Sequence, residues 1–273
     1  MTALRLEAPA KVNLDLRVVG RREDGYHLLE STMILLELAD GLLLMPGSSG
    51  LRIDGAASDD VPPDASNLAW RGLVEGLGAE PELACLAVDK RIPTAAGLGG
   101  GSSDAAAAWR LGRAWRGAPE DPTEADMATL AGVGADVPFF ASGAPAARVE
   151  GIGERVTPMP AEALSIVLVH AAPRLRTRDV FGELREEEWG SGTNDLLAPA
   201  VRLCPQIGDL FALVAAAGGE PRLTGSGPTV FAATDDPERA RDIASRLAGA
   251  GPTVIVTRSR PAGASIARST EEE

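Results

Sequence analysis

Residues 93–104 read PTAAGLGGGSSD, and four of the five positions from Gly97 to Gly101 are glycine. Inside a helix or strand each would cost about 0.5–1 kcal/mol relative to alanine. The run therefore points to a loop whose backbone has to come close to something. It lies between a strand-like stretch, 83–92, and SSDAAAAWRLGRAW, 102–115, whose alanines favour a helix. The start of a helix carries unpaired N–H groups and about half a positive charge. Glycines let such amides close on an anion. Ser102 and Ser103 can cap the helix, or hydrogen-bond a phosphate or its metal. The chemistry is that of a phosphate cradle. A Rossmann loop needs G-x-G-x-x-G or a terminal alanine. The two available registers end instead on Ser102 and Asp104. A P-loop needs Gly-Lys-Ser/Thr at its end, and no lysine is present.

The flanking elements follow from periodicity. Residues 4–19 read as one strand, with Val12, Leu14 and Leu16 on one face and Lys11, Asn13 and Asp15 on the other. A second strand is expected near 32–38, after the turn REDGYH. Residues 67–77 read as a helix with Trp70, Leu73, Val74 and Leu77 on one side. Residues 123–131 read as another, capped by Thr123 with Asp126 reaching back. Beyond about residue 150 the order is strand (164–171), a helical region (194–217), two short strands about a glycine turn (RLTGSGPTVFAAT), an amphipathic helix (PERARDIASRLAGA) and a closing strand (PTVIVTRS). That β-α-β-β-α-β order is that of a ferredoxin-like split unit. Two α+β domains facing a cleft are expected, with residues 269–273, STEEE, as a disordered acidic tail.

The totals narrow the partners. The 273 residues are 45 % hydrophobic and 24 % charged, as in packed globular proteins. The net charge of −13 argues against nucleic acid or an anionic membrane as partner. It leaves room for a local pocket that takes a small phosphate ligand. Cys85 and Cys204 lie in apolar surroundings and read as reduced core residues. Neither a signal peptide nor a run approaching the ~20 apolar residues of a membrane span is visible. A cytoplasmic protein with a small-molecule substrate and no obligatory protein partner is expected.

Three segments, in their order and spacing, resemble the GHMP kinases, the superfamily of galactokinase, homoserine, mevalonate and phosphomevalonate kinases. PAKVNL (9–14) resembles the first motif of that superfamily. The glycine run, with one extra glycine, resembles the second, and LTGSGPTVFA (223–232) the third. The resemblance implies a two-domain fold. Residues 1–150 would form an N-terminal domain like ribosomal protein S5, and 151–273 a ferredoxin-like C-terminal domain. It also implies ATP as phosphoryl donor with Mg²⁺, whose ligands it does not assign. The nucleotide loop would be Pro93, Thr94, Ala95, Ala96, Gly97, Leu98, Gly99, Gly100, Gly101, Ser102 and Ser103.

GYH at 25–27 holds the only tyrosine and one of the two histidines. With GADVPFF at 134–140 it is similar to the cytidine-recognising branch of the superfamily. That branch phosphorylates the 2-hydroxyl of a cytidyl diphosphate methylerythritol in non-mevalonate isoprenoid biosynthesis. Lys11 and Asp136 then match the catalytic pair. Tyr26 and His27 would hold the cytosine by stacking and base-edge hydrogen bonds, Phe181 would supply a second stacking face, and Asn13 would lie on the substrate side. Asn194 and Asp195 match a substrate-side pair or serve as helix caps. Gly225 and Gly227 approach the phosphates or merely make a hairpin turn. Asp104 must point away from phosphate or face the metal. A homoserine or mevalonate kinase, and a nucleotide-binding protein without turnover, stay open as alternatives.

Overall fold

The computed structural model describes residues 2–59, 61–170 and 174–269. In chain order the elements are β1 (Ala3–Asn13), β2 (Arg17–Arg21), β3 (His27–Pro46), β4 (Gly50–Asp54), α1 (Leu68–Leu77), β5 (Ala84–Asp89), α2 (Gly100–Trp115), α3 (Glu124–Val133), α4 (Val137–Ala141), β6 (Ala146–Gly151), β7 (Arg155–Met159), β8 (Ser165–His170), α5 (Thr177–Glu183), α6 (Leu197–Leu203), α7 (Gln206–Ala216), β9 (Arg222–Leu223), β10 (Val230–Thr234), α8 (Pro237–Leu247), β11 (Thr253–Arg258) and β12 (Ala267–Ser269).

They make two sheets. The larger has eight strands with the path β12-β1-β3-β5-β4; β2 and β6 also pair with β3, and β7 pairs with β6. β3 is 20 residues long and serves both halves of this sheet, with residues 27–34 on β2 and β6 and residues 33–46 on β1 and β5. The sheet extends past residue 150, through β7 and through β12, which returns to pair with β1. The smaller sheet, β11-β8-β10-β9, is antiparallel throughout, in the order of a ferredoxin-like unit.

β8 shows why a continuous apolar run becomes a strand here. Val167 and Val169 pack on Ile207, Val214 and Ile243 of the helices behind. Ile166 and Leu168 face the other way, onto Val12, Ile34 and Leu36 of the large sheet. Both faces are covered, so no polar alternation is needed. The described residues contain no single helix long and apolar enough to cross a membrane. Both cysteines are buried free thiols.

Several expectations need correction. The strand predicted over 4–19 breaks after Asn13. The Asp15 carboxylate accepts from Thr32 N (2.7 Å) and Thr32 Oγ1 (2.9 Å), and Leu16 N donates to Thr193 O (2.8 Å). The chain thus turns toward the second domain. Leu16 enters that domain's core while Val12 and Leu14 stay between the sheets. The strand near 32–38 is only the middle of β3. α2 begins at Gly100, and its N-cap is Gly99 with φ 72° and no side-chain cap, so neither Ser102 nor Ser103 caps it. The helical region 194–217 breaks at Cys204-Pro205, where the proline cannot continue α6. The Thr123–Asp126 capping box is present as expected. Residues 270–273 of the acidic tail lie outside the described residues.

α1 also buries a different face. Ala69, Gly72, Leu73 and Gly76 lie inward, because the glycines let α1 press on the α2 backbone. A Cβ at Gly72 would stand 2.1 Å from the Ala105 carbonyl oxygen, and one at Gly76 2.2 Å from that of Trp109. Gly132, by contrast, has nothing within 4 Å. Gly72→Ala must force the helices apart, at about 1–3 kcal/mol. For a chain of this size each kcal/mol lowers the melting temperature by about 2–4 °C. Gly132→Ala should be neutral or stabilising in the same thermal melt. Equal losses at the two sites would contradict this packing.

Candidate functional site

A cleft of about 640 Å³ lies where β1, the glycine loop and the β9–β10 turn meet. Its floor is the polar face of β1. The register of β1 shifts between Pro9 and Lys11, and Lys11 N donates to Leu98 O in the loop (3.0 Å). Lys11 Nζ donates to Asn13 Oδ1 (2.5 Å) and stands 3.4 Å from Asp136 Oδ2. The lysine side chain is 3 % exposed and the aspartate 29 %, so the carboxylate is the solvated member of the pair. Asp136 gets this place by standing at the head of the short α4, with Pro138 behind it. Asn13 is fixed in turn: Nδ2 donates to Ser31 Oγ (2.8 Å), and its backbone N–H to Thr224 Oγ1 (3.1 Å) from the second domain.

The loop wall is built from left-handed residues. Ala95 (φ 52°), Gly97 (φ 77°) and Gly99 (φ 72°) alternate with residues of ordinary φ. Such alternation turns successive N–H groups into one concavity that suits an anion. The first α2 bond, Ser103 N to Gly99 O (2.9 Å), leaves the amides of Gly100, Gly101 and Ser102 without partners inside the helix. Gly97 has a second duty, since a Cβ there would sit 2.5 Å from the Thr224 carbonyl oxygen. The site thus joins an anion cradle to a lysine–carboxylate couple, the parts a phosphoryl transfer to an alcohol requires.

Two family models match the chain: the GHMP kinases N-terminal domain over residues 67–144 and the GHMP kinases C-terminal model over 168–253. A protein of Rhodopseudomonas palustris strain BisA53 named 4-diphosphocytidyl-2-C-methyl-D-erythritol kinase is 39 % identical, with 85 % of this chain and 89 % of that one aligned. One of the same name from Paramagnetospirillum magneticum is 37 % identical over 90 % and 94 %. The chain belongs to this family of GHMP kinases. A crystal structure of 4-(cytidine 5'-diphospho)-2C-methyl-D-erythritol kinase superposes with TM-score 0.76 at 33 % identity, covering 95 % of this chain and 99 % of the other. A homoserine kinase from Cytophaga hutchinsonii, 18 % identical with TM-score 0.68 over 98 % of both chains, shares the fold.

The structure of this kinase brings together Lys11, Asn13, Asp136, Phe181 and the loop from Pro93 to Ser102 along the cleft. Ser103 is different. Its amide closes the first helical turn, and its hydroxyl is buried without a partner, facing away from the cleft. Tyr26 also stands apart, 63 % exposed on the β2–β3 turn. His27 is half-buried and stacks on Phe181 at 5.2 Å with the rings 24° apart. Burial, and then the charge of Arg21, lower its pKa below the ordinary 6.5. Gly225 lines the cleft, whereas Gly227 packs on Leu223 and Ile207. Asn194 braces the β9–β10 turn through Leu223 O (2.9 Å) and Gly225 O (3.0 Å), and it accepts from Leu196 N (2.9 Å). Asp195 accepts from Val18 N (2.8 Å). Asp195 ties the domains together, while the Asn194 side chain bonds only within the second.

One cluster escaped the sequence reading. Lys90, just before the loop, is 3 % exposed and gives its ammonium to Asp40 and to Asp104 Oδ2 (2.6 Å). Asp40 Oδ1 also accepts from Arg91 N (2.5 Å) and Ile92 N (2.8 Å), which fixes the entry to the loop. Asp40 is 50 residues away in sequence, and only the pairing of β3 with β5 brings it beside Lys90. Asp104, whose direction was open, points at Lys90. Burial, with the charge of Asp40 adding to it, pushes the Asp104 carboxyl up to about 7 against the pull of Lys90. Burial opposes the Lys90 charge too, but the two acids outweigh it and hold its pKa above the usual lysine value.

A pH dependence of stability follows. In the fold Asp104 keeps its proton up to about pH 7, while an unfolded aspartate loses it near 3.8. Between those values the native state binds the extra proton, so stability falls as pH rises from about 4 to 7. Asp104→Asn cannot ionise. Denaturant titrations at about pH 5 and about pH 7 should show a smaller loss with rising pH in that variant than in the unaltered chain; an unchanged loss would contradict the assignment.

Proposed function

We propose that this kinase transfers the γ-phosphoryl group of ATP to the 2-hydroxyl of 4-diphosphocytidyl-2-C-methyl-D-erythritol, giving the 2-phosphate and ADP in non-mevalonate isoprenoid precursor biosynthesis. The single observation that carries the mechanism is the Lys11–Asp136 couple, 3.4 Å apart, opening on the glycine cradle. Asp136 accepts or orients the proton of the acceptor alcohol. The Lys11 ammonium, fixed by Asn13, offsets the carboxylate charge and steadies the alkoxide as it forms. The amides of Gly100, Gly101 and Ser102 receive the phosphates at the head of α2.

Mg²⁺ suits this arrangement. It is ordinarily held by one or two protein oxygens, with substrate phosphates and water completing its shell. The described residues hold no cluster of three His, Cys, Asp or Glu able to bind a metal by themselves. Asp104 gives Oδ2 to Lys90, while its Oδ1 is buried without a partner and the residue lines the cleft. The Ser102 hydroxyl and Asp104 Oδ1, both on residues that line the cleft, are the oxygens that would hold the ion. When bound it would neutralise charge on the transferring phosphates.

His27, Phe181 and Tyr26 receive the cytosine, the tyrosine from the exposed β2–β3 turn. The negative net charge weighs against nucleic acid or an anionic membrane as partner, and the two free, buried thiols suit a reducing, cytoplasmic setting.

A coupled assay of ADP release tests this reading. Turnover should require the cytidyl alcohol and be absent with homoserine or mevalonate; turnover of either of those in its place would refute it. Asp136→Asn should lower kcat by about 10²–10⁴-fold, the usual worth of a positioned acid–base group, and leave the affinity for a non-hydrolysable ATP analogue unchanged. An unaltered kcat would remove Asp136 from the chemistry.

A further inference from the structure

Trp189 lies outside every motif of the sequence, yet it packs on a residue of the site. It follows a short 3₁₀ turn of three glutamates, Glu186–Glu188. Its ring centroid is 5.9 Å from that of His27, with the planes 84° apart. The imidazole therefore has Phe181 parallel to one side and the indole perpendicular to it. An edge-to-face pair of this kind is favourable and directional.

The segment around the indole is tied down on both sides. Glu188 takes Arg202 through both oxygens (2.5 and 2.9 Å), and Arg202 also donates to Glu183 O (2.5 Å). Gly190 N donates to Asp195 Oδ2 (2.7 Å), the oxygen that also holds Val18 N on β2. The same carboxylate thus ties the tryptophan loop to the strand that leads to Tyr26 and His27. A buried indole N–H ordinarily finds an acceptor, but Trp189 Nε1 is buried with none. The indole contributes its ring, not a hydrogen bond.

We propose that Trp189 is a specificity-determining positioning residue of the nucleobase site: the indole sets the tilt at which the His27 ring meets the edge of a cytosine base. The proposal rests on the cytidyl reading given above. It concerns recognition alone, since Trp189 is not among the residues that line the cleft with the glycine loop and the Lys11–Asp136 couple.

Trp189→Leu and Trp189→Phe, in the full chain, test it. The first removes the aromatic edge and the second keeps it. Trp189→Leu should raise KM for the cytidyl alcohol about tenfold, near the upper worth of such a ring pair, with KM for ATP and kcat changed less than about twofold. Trp189→Phe should recover most of the loss. A second readout needs no turnover. The chain has only two histidines, so the imidazole resonances of His27 can be followed by NMR while CDP is added. The shift induced by CDP should be large in the unaltered chain, small in Trp189→Leu and restored in Trp189→Phe. An equal rise of both KM values, no rise at all, a phenylalanine variant no better than the leucine one, or a His27 signal unmoved by CDP in the unaltered chain would each overturn the proposal. An unaltered chain that ignores the cytidyl alcohol while CDP still moves His27 in the predicted order would refute the functional reading and leave the role of Trp189 standing.

Discussion

Taking an ammonium out of water costs several kcal/mol unless its hydrogens are answered by acceptors. At Lys11, 3 % exposed, the acceptors are Asn13 and the carboxylate of Asp136, both on the cleft lining, and only the latter is open to solvent. That requirement organises much of the molecule. Asn13 must hold its amide in one orientation, so it is tied to Ser31 on β3 and to Thr224 in the second domain. Asp136 must come from another direction, so a separate short helix carries it. The glycine loop must pass close by, and the Lys11 backbone itself bonds to Leu98. A Cβ on Gly99 would stand 3.1 Å from Lys11 Cγ, and one on Gly225 3.3 Å from its Nζ. Phe140 at Gly99 (2.9 Å) and Gly97 O at Gly225 (3.2 Å) stand closer still, so packing around the lysine leaves little room for a side chain at either glycine.

Two buried lysines flank the same loop and differ in what they leave available. Lys90 is enclosed by two carboxyl groups, both almost without exposure, and acts as a bolt between β3, the end of β5 and α2. Lys11 faces a carboxylate that is 29 % exposed and can meet a ligand. Both lysines border the cleft, and the contrast lies in their partners: the acids on Lys90 are closed to solvent, and the one on Lys11 is not. It also explains how an acid can sit in the second turn of α2, near the anion-binding end of the helix, without repelling phosphate.

The fold was legible where local chemistry decides it. The alanine helix, the Thr123 cap and the split β-α-β-β-α-β order all rest on propensity, capping and period. What could not be read lay in contacts between distant segments. Leu16 changes domain because Thr193 and Asn194 capture the chain there. α1 turns its glycines inward because α2 needs close approach. Within the site, Lys11, Asn13, Asp136 and the loop were named from motifs, and the structure gathers them. Ser103 was misplaced because helix geometry consumes its amide one residue past the cradle. Asp40 with Lys90, and Trp189 with His27, went unseen because each pair is far apart in sequence and joined only by tertiary packing.

The central claim is that the amides at the head of α2 and the Lys11–Asp136 couple address two ends of one transfer. A crystal structure with β,γ-imido-ATP and the cytidyl alcohol bound together tests it most directly. The γ-phosphate should rest against the amides of Gly100 to Ser102, with the acceptor hydroxyl within about 3 Å of the Asp136 carboxylate. A γ-phosphate held elsewhere in the cleft, or an acceptor hydroxyl remote from Asp136, would contradict the account.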